Sequence, residues 1–231
     1  MRDWKVLPHG PLVQLAPRLW QLTGSQKGAG GIPRNMTIWR MESGGLWVHS
    51  AVAVDEDTLA SVTQLGPPEV LVVPNGMHRL DAPAWKQRFP AMRVVAPAPS
   101  RAKVEEVVEV DALDTDVPGA EVRVPDGLKA WESCYALDSG AGTALVFCDA
   151  LFNLEHQPGF RGWVLKTLGS TGKFGITNVG KLFLKPDAPR FAAWLRAQAD
   201  AGAGIVCVAH GKPVTADVSA RLREAADALA Q

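Results

Sequence analysis

The first third of the chain alternates between short apolar segments and polar turns. Apolar positions cluster around residues 12–15, 19–22, 35–41 and 46–52, and each cluster has the length of a β-strand. Trp39 and Trp47 favour the pleated surface of a sheet. The sequence therefore predicts a β-rich beginning.

The periodicity changes at Asp55, which is a candidate helix N-cap. Behind it the apolar residues recur three apart, and Gly66-Pro67-Pro68 then ends the segment; these apolar residues are Leu59, Val62 and Leu65. An apolar run of strand length at 70–73, a short helix containing Trp85 and Phe89, and a strand at 93–96 follow. The middle of the chain is therefore predicted to be β-α-β-α-β.

The last third adds strands and two longer helices. We predict strands at 121–124, 131–137 and 143–147, a helix over 187–201, a buried strand at 205–208, and a final amphipathic helix. Strands covered by helices on the outside predict an α+β fold, specifically an αββα sandwich of two mixed sheets. With no repeat or linker in the sequence, a single domain is predicted over 1–231.

Composition narrows the classes of function. The 24 Lys and Arg balance the 24 Asp and Glu, so a neutral chain argues against a general electrostatic attraction to nucleic acid or to anionic membranes. The first residues lack the apolar region of a signal peptide, and no apolar run has the length of a membrane span. Cys134, Cys148 and Cys207 form no CxxC pair, and the last two lie in apolar runs where thiols behave as small buried hydrophobes. We expect a cytoplasmic protein.

A glycine-rich segment at 24–35 resembles a phosphate-binding loop only in composition. It lacks the GK[ST] signature and leads into a strand, whereas phosphate-binding loops lead into a helix N-terminus. A hairpin loop is the better interpretation.

Three of the most apolar strands run directly into polar residues: VLVV into PNGMH, ALVF into CDALFN, and IVCV into AHGKP. Ligands in α/β proteins gather outside the carboxyl ends of strands. These turns make His78, Asp149 and His210 candidate functional residues. A lone histidine is more often structural, but imidazole nitrogen and carboxylate oxygen are also ligands for zinc or iron.

The order of these turns, over about residues 10 to 231, resembles the metallo-β-lactamase superfamily. Asp149 in FCDALFN and His210 in VAHGKP match the metal-bridging Asp and the final His of that superfamily. Most positions of the superfamily's HxHxDH motif are occupied here by residues that do not match it. No histidine lies near 126–131, where a third His is usual. The motif's other ligand positions carry Asn75, Met77, Arg79 and Leu80.

A closer resemblance is to a branch of unknown function with a PNxxHH turn followed by a helical Trp, which Pro74, Asn75, His78 and Trp85 fit. Arg79 replaces the second His of that turn. The branch also carries a Glu before the Asp turn, here Glu132. The resemblance implies a degenerate site with one divalent metal, zinc or iron, rather than two. Its ligands would be His78, Glu132, Asp149 and His210.

A metal there would make the protein a metal-dependent hydrolase, with metal-bound water as nucleophile and with Asp149 and His210 as catalytic residues. The alternative is a non-catalytic protein of the same fold that binds a ligand or a protein partner. Nucleic-acid binding is a third class, which neutral charge disfavours.

The segment 156–186 is locally basic, with Arg161, four lysines and no acidic residue. Its place after the Asp149 turn predicts a lid that attracts a small anionic substrate, and an ordinary solvated loop with helical turns is the alternative. Residues proposed to contact the substrate are Asn75, Arg79, His49 and Lys173. A nucleophilic pair of His49 with Ser50 is not expected, because neighbours on a strand point to opposite faces.

Overall fold

The computed structural model describes residues 3–25, 32–128, 132–156, 158–167 and 169–229. The chain forms two compact units. The first unit contains Met1–Val122 and Leu137–Ala141, and the second contains Arg123–Ala136 and Gly142–Gln231. The expectation of a single domain over 1–231 stays a prediction.

The first unit is built on a seven-stranded mixed sheet whose spatial order follows the chain, β1 to β7. The strands are β1 (Val13–Ala16), β2 (Leu19–Gly24), β3 (Arg34–Arg40), β4 (Leu46–His49), β5 (Pro68–Val72), β6 (Arg93–Ala96) and β7 (Ala112–Leu113). Strands β1 to β4 pair antiparallel and β4 to β7 pair parallel. The short β7 was not predicted.

Helices connect the parallel strands of this sheet: α1 (Glu56–Leu65), α2 (Ala82–Arg88) and α3 (Arg101–Glu105). The predicted cap of α1 is confirmed, since the Asp55 side chain accepts a 2.8 Å hydrogen bond from the Thr58 N–H. Leu59 and Val62 face the core, where they join Trp85 and the apolar strand residues. The recurrence of apolar residues every three positions therefore predicted both the helix and its buried face.

The predicted strand at 46–52 is shorter than expected. Strand β4 ends at His49 because Ser50 adopts a left-handed backbone conformation, with φ 57°. The predicted hairpin across the glycine-rich segment pairs Gly24 with Arg34. Residues 26–31 of that loop lie outside the described residues.

The second sheet has four strands in the order β11–β10–β9–β8. They are β8 (Ala120–Arg123), β9 (Cys134–Asp138), β10 (Thr143–Val146) and β11 (Ile205–Cys207). The boundary between the units falls within β8 and β9. Strands β10 and β11, which precede the turns that contain Asp149 and His210, pair parallel.

In the described part of the second unit there are four helices: α4 (Gly159–Thr167), α5 (Asn178–Leu184), α6 (Ala188–Asp200) and α7 (Val218–Asp227). Helices α6 and α7 were predicted and pack on a core that contains Leu145, Val206 and Leu222. Helices α4 and α5 occupy the basic segment, for which a lid or a solvated loop with helical turns was expected. Every helix within the described ranges is too short or too polar to span a bilayer.

Candidate metal centre

The register of two parallel strands brings Asp149 and His210 together. Val146 of β10 is opposite Cys207 of β11, and the next backbone hydrogen bond, from the Phe147 N–H to the Cys207 carbonyl, continues the pairing. Asp149 and His210 each come three residues after this last matched pair. Because parallel strands end at the same sheet edge, both side chains reach the same place.

The two side chains form a buried polar pair. Asp149 Oδ1 lies 3.2 Å from His210 Nε2, and the side chains are only 9% and 8% exposed. A buried carboxylate and a buried imidazole each cost free energy unless they are paired. The pair satisfies this requirement, and it presents an oxygen and a nitrogen that a divalent metal can bind.

The backbone of His210 is held by Asn153. The Asn153 N–H donates to the His210 carbonyl at 2.9 Å, and the Lys212 N–H donates to the Asn153 carbonyl at 3.0 Å. Gly211 stands between them with φ 106°, and a Cβ atom there would lie 2.1 Å from the Asn153 carbonyl carbon and oxygen. Only glycine fits this close approach.

Phe152 fixes the ring of His210 from one side. The two rings stack with centroids 4.8 Å apart and an interplanar angle of 17°. The backbone of Phe152 in turn exchanges two hydrogen bonds with Gly175, at 2.9 and 3.0 Å. The basic segment 156–186 is therefore attached directly to the residue that packs on His210.

Glu132 holds the turn that carries Asp149. Its Oε1 accepts hydrogen bonds from the N–H groups of Cys148 and Ala150, both at 3.1 Å, and its Oε2 accepts one from the Asp149 N–H at 2.7 Å. Burial, and secondly the Asp149 charge, raise the pKa of the Glu132 carboxyl to about 8, although the three N–H donors oppose this shift. Both oxygens of this predicted ligand are thus engaged by the backbone.

Cys148 is a functional candidate that sequence reasoning did not include. It is fully buried, as expected for a thiol in an apolar run, and reduced. However, its Sγ donates to Asp149 Oδ2 at 3.7 Å, and both side chains offer a metal-ligand atom. Its place directly before Asp149 was the signal in the sequence.

In the first unit, His78 is paired with Ser50. Ser50 Oγ lies 2.8 Å from His78 Nδ1, and both residues are buried. The left-handed backbone of Ser50 and the parallel pairing of β4 with β5 bring the two strand ends together. Ser50 was considered only beside its neighbour His49, so this partner was missed.

Asn75 shapes the turn that presents His78. Its Oδ1 accepts hydrogen bonds from the N–H groups of Met77 at 2.9 Å and His78 at 3.2 Å, and the residue is fully buried. An amide that closes its own turn in this way is an Asx turn. The predicted role of Asn75 in substrate binding stays a prediction.

The other residues proposed to contact the substrate lie in different surroundings. Arg79 forms an ion pair with Glu106 at 2.7 Å. His49 is buried and stacks on Trp47 with centroids 5.4 Å apart. Lys173 is exposed on the basic segment. Their contacts with a substrate stay predictions.

No protein-family profile matches the chain, and no curated protein matches its sequence. Solved structures do match. The DIM-1 metallo-β-lactamase exposed to ceftazidime has a TM-score of 0.64 at 14% identity, over 97% of this chain and 99% of that one. The metallo-β-lactamases from Hirschia baltica and Erythrobacter litoralis have TM-scores of 0.60 and 0.64. The first is 15% identical over 95% of this chain and 98% of its own, and the second, with β-mercaptoethanol in its active site, is 16% identical over 97% and 100%.

The chain has the metallo-β-lactamase fold. The predicted α+β class, with two mixed sheets, is confirmed, and so is the resemblance to this fold superfamily. At identities near 15% the similarity shows the fold alone, because one fold supports many functions. The closer resemblance to a branch of unknown function stays a prediction.

The chemical types of the donor atoms in the second unit suit a divalent metal. Asp149 offers carboxylate oxygen, His210 imidazole nitrogen and Cys148 thiolate sulfur, and these are the three ligand types that zinc takes in proteins. Sulfur favours zinc over harder cations such as Mg²⁺ and Ca²⁺. The residues present therefore suit a metal of the expected class.

Proposed function

We propose that the protein is a metal-dependent hydrolase with one metal ion, zinc or iron, acting on a small anionic substrate. The observation that carries the proposal is the buried pair of Asp149 and His210 at the carboxyl ends of two parallel strands. Ionisable groups held at such a position are typical of functional sites.

Asp149 and His210 would hold the metal, with Cys148 as a further ligand from the same turn. His78 would add an imidazole, and its inclusion rests on the sequence, where it follows an apolar strand as Asp149 and His210 do. A bound divalent metal polarises a carbonyl or phosphoryl oxygen and lowers the pKa of water to about 7.

The surrounding residues would keep these ligands in place. Ser50 engages Nδ1 of His78, so Nε2 is the nitrogen with which His78 would bind a metal. Glu132, first expected as a ligand, would instead fix the backbone of 148–150. Phe152 would exclude water from one face of His210. Such supporting contacts typically change metal affinity by about 10- to 100-fold.

Lys173 and Lys181 would attract the anionic substrate. Both belong to the segment that is joined to Phe152 through Gly175, beside His210. A local positive charge raises the concentration of an anion near the site without changing the chemical step. The double variant Lys173→Ala/Lys181→Ala should raise KM for anionic substrates and leave kcat unchanged. An unchanged KM would contradict the proposal that segment 156–186 forms a lid that attracts the substrate.

The hydrolase proposal is tested with a panel of carboxylic esters, thioesters, β-lactams and phosphodiesters. Each is incubated with protein loaded with Zn²⁺ or Fe²⁺ and with protein treated with a chelator. We expect at least one class to be cleaved only by the loaded protein, and Asp149→Asn to abolish that cleavage. The exposed Asp227, which pairs with Arg196, provides the control variant Asp227→Asn.

A non-catalytic ligand-binding protein is the second candidate. It is favoured by the non-ligand residues at the HxHxDH positions and by the engagement of both Glu132 oxygens, which leave few ligands for a metal. If no substrate class is cleaved, or if Asp149→Asn leaves an observed cleavage unchanged, this candidate is favoured.

A further inference from the structure

Helices α4 and α5 expose apolar side chains. The described part of the chain has nine exposed large hydrophobic residues, and four of them lie on these two short helices: Trp163 at 59%, Val179 at 38%, Leu182 at 69% and Phe183 at 63%. Single exposed apolar residues are normal, but three of them within the seven residues of α5 mark an interaction surface.

The exposed residues of α5 lie on one face. Val179, Leu182 and Phe183 have the three- and four-residue spacing of neighbours on a helix surface. Leu184 is only 1% exposed and packs in the core of the second unit. The Thr177 hydroxyl caps the helix by accepting a 2.8 Å hydrogen bond from the Gly180 N–H. The helix is thus anchored on one side and presents its apolar residues outward.

The same segment is positively charged. Lys166, Lys173, Lys181 and Lys185 lie in 156–186, which has no Asp or Glu. Among the described residues, none of these lysines forms an ion pair with an acidic side chain. The chain as a whole is neutral, but segment 156–186 carries positive charge that no acidic residue within it balances.

We propose that the apolar face of α5, together with the lysines of the basic segment 156–186, docks on an anionic phospholipid bilayer. Leucine, phenylalanine and tryptophan enter the boundary between headgroups and acyl chains, while lysines remain at the headgroups and attract their charge. A second copy of the chain is a poorer occupant, because symmetric pairing would bring two basic surfaces together. The docking requires no metal and is independent of the proposed hydrolysis.

The test measures cosedimentation of the metal-free full chain with vesicles of phosphatidylcholine, alone or mixed with phosphatidylglycerol. We expect binding to the mixed vesicles only, weakened by salt. Lys181→Ala/Lys185→Ala should lower the partition coefficient by about 25-fold, since each lysine near an anionic surface contributes about fivefold. Lys5→Ala/Arg93→Ala, which removes two exposed cations elsewhere, should leave the partition coefficient unchanged.

The apolar contribution is tested with Leu182→Ser/Phe183→Ser, which should also weaken binding. Val124→Ser is the matched control, because Val124 is 61% exposed outside this segment. Circular dichroism verifies that each variant is folded. Absence of binding to anionic vesicles, or equal losses in variants and controls, would overturn the proposal. So would a dimer, detected by light scattering, that Leu182→Ser/Phe183→Ser dissociates while no vesicle binding is seen.

Discussion

His210 Nε2 lies 3.2 Å from Asp149 Oδ1 because the strands that precede the two residues end in matched register. The two residues are 61 positions apart in the sequence. A parallel strand pair, whose ends meet at one sheet edge, brings them together. The contact is maintained by Asn153 at the backbone of His210, Phe152 at its ring, and Glu132 at the backbone of Asp149. The pair is thus positioned by the second unit itself.

Gly211→Ala should displace the His210 turn. The new Cβ would collide with the Asn153 carbonyl at 2.1 Å, and φ 106° is unfavourable for alanine. We expect a loss of about 2–4 kcal/mol in the free energy of unfolding, measured with urea. Gly202→Ala is the control, because Gly202 also has a positive φ, 75°, but its Cβ would have no neighbour within 4 Å. The control should lose only about 1 kcal/mol. Equal losses would show that the close approach to Asn153 is unimportant.

Two substitutions of Ser50 distinguish the contribution of its hydroxyl to stability from the contribution of its backbone conformation. Ser50→Ala removes the 2.8 Å hydrogen bond to His78 inside the protein, and we expect a loss of about 1–3 kcal/mol in the free energy of unfolding. Ser50→Gly removes the same bond but suits φ 57°, so it should be about 1 kcal/mol more stable than Ser50→Ala. Urea unfolding of both variants checks this order. If the glycine variant is the less stable one, the backbone of Ser50 is not strained.

Stability should depend on pH through Glu132. Folded Glu132 keeps its proton up to about pH 8, whereas the ordinary pKa of the side chain is 4.5. Between these values the folded state binds more protons than the unfolded state, so the free energy of unfolding falls as pH rises. Glu132→Gln, which resembles the protonated acid, should remove this decline in the metal-free protein. Glu42→Gln, at an exposed position, is the control and should keep it. A decline that persists in Glu132→Gln would assign it to another group.

Cys148 should be recognisable spectroscopically if it binds the metal. Protein loaded with Co²⁺ should show a near-ultraviolet charge-transfer band, because thiolate ligation produces such a band and oxygen or nitrogen ligation does not. Cys148→Ser should abolish the band, and Cys207→Ser, which removes another buried thiol, should retain it. A band that survives in Cys148→Ser would exclude this thiol as a ligand.

The strand-end argument predicted Asp149 and His210 because their contact follows from local patterns. Each follows an apolar run, and parallel pairing of those runs is enough to bring the side chains together. The helix capped by Asp55 was predictable for the same reason, since its period and cap are local. The order of strands along the first sheet also follows the chain.

What the sequence did not reveal depends on orientation and on distant contacts. A carboxylate beside a turn can point at a metal or at backbone N–H groups, and the identity of Glu132 does not distinguish the two. The partnership of Ser50 with His78 requires a positive φ that serine rarely adopts. Helices α4 and α5 were expected only as helical turns within a loop, because glycines interrupt the apolar period of their segment.

The metal content of protein purified without chelator tests the central claim most directly. Elemental analysis should find about one zinc or iron per chain, and Asp149→Asn and His210→Ala should each lower metal affinity by more than about 100-fold, since losing a ligand costs more than losing its supporting contact. Asp227→Asn should retain the metal. A wild-type chain without bound zinc or iron, or metal retained in both site variants, would contradict a metal centre at Asp149 and His210.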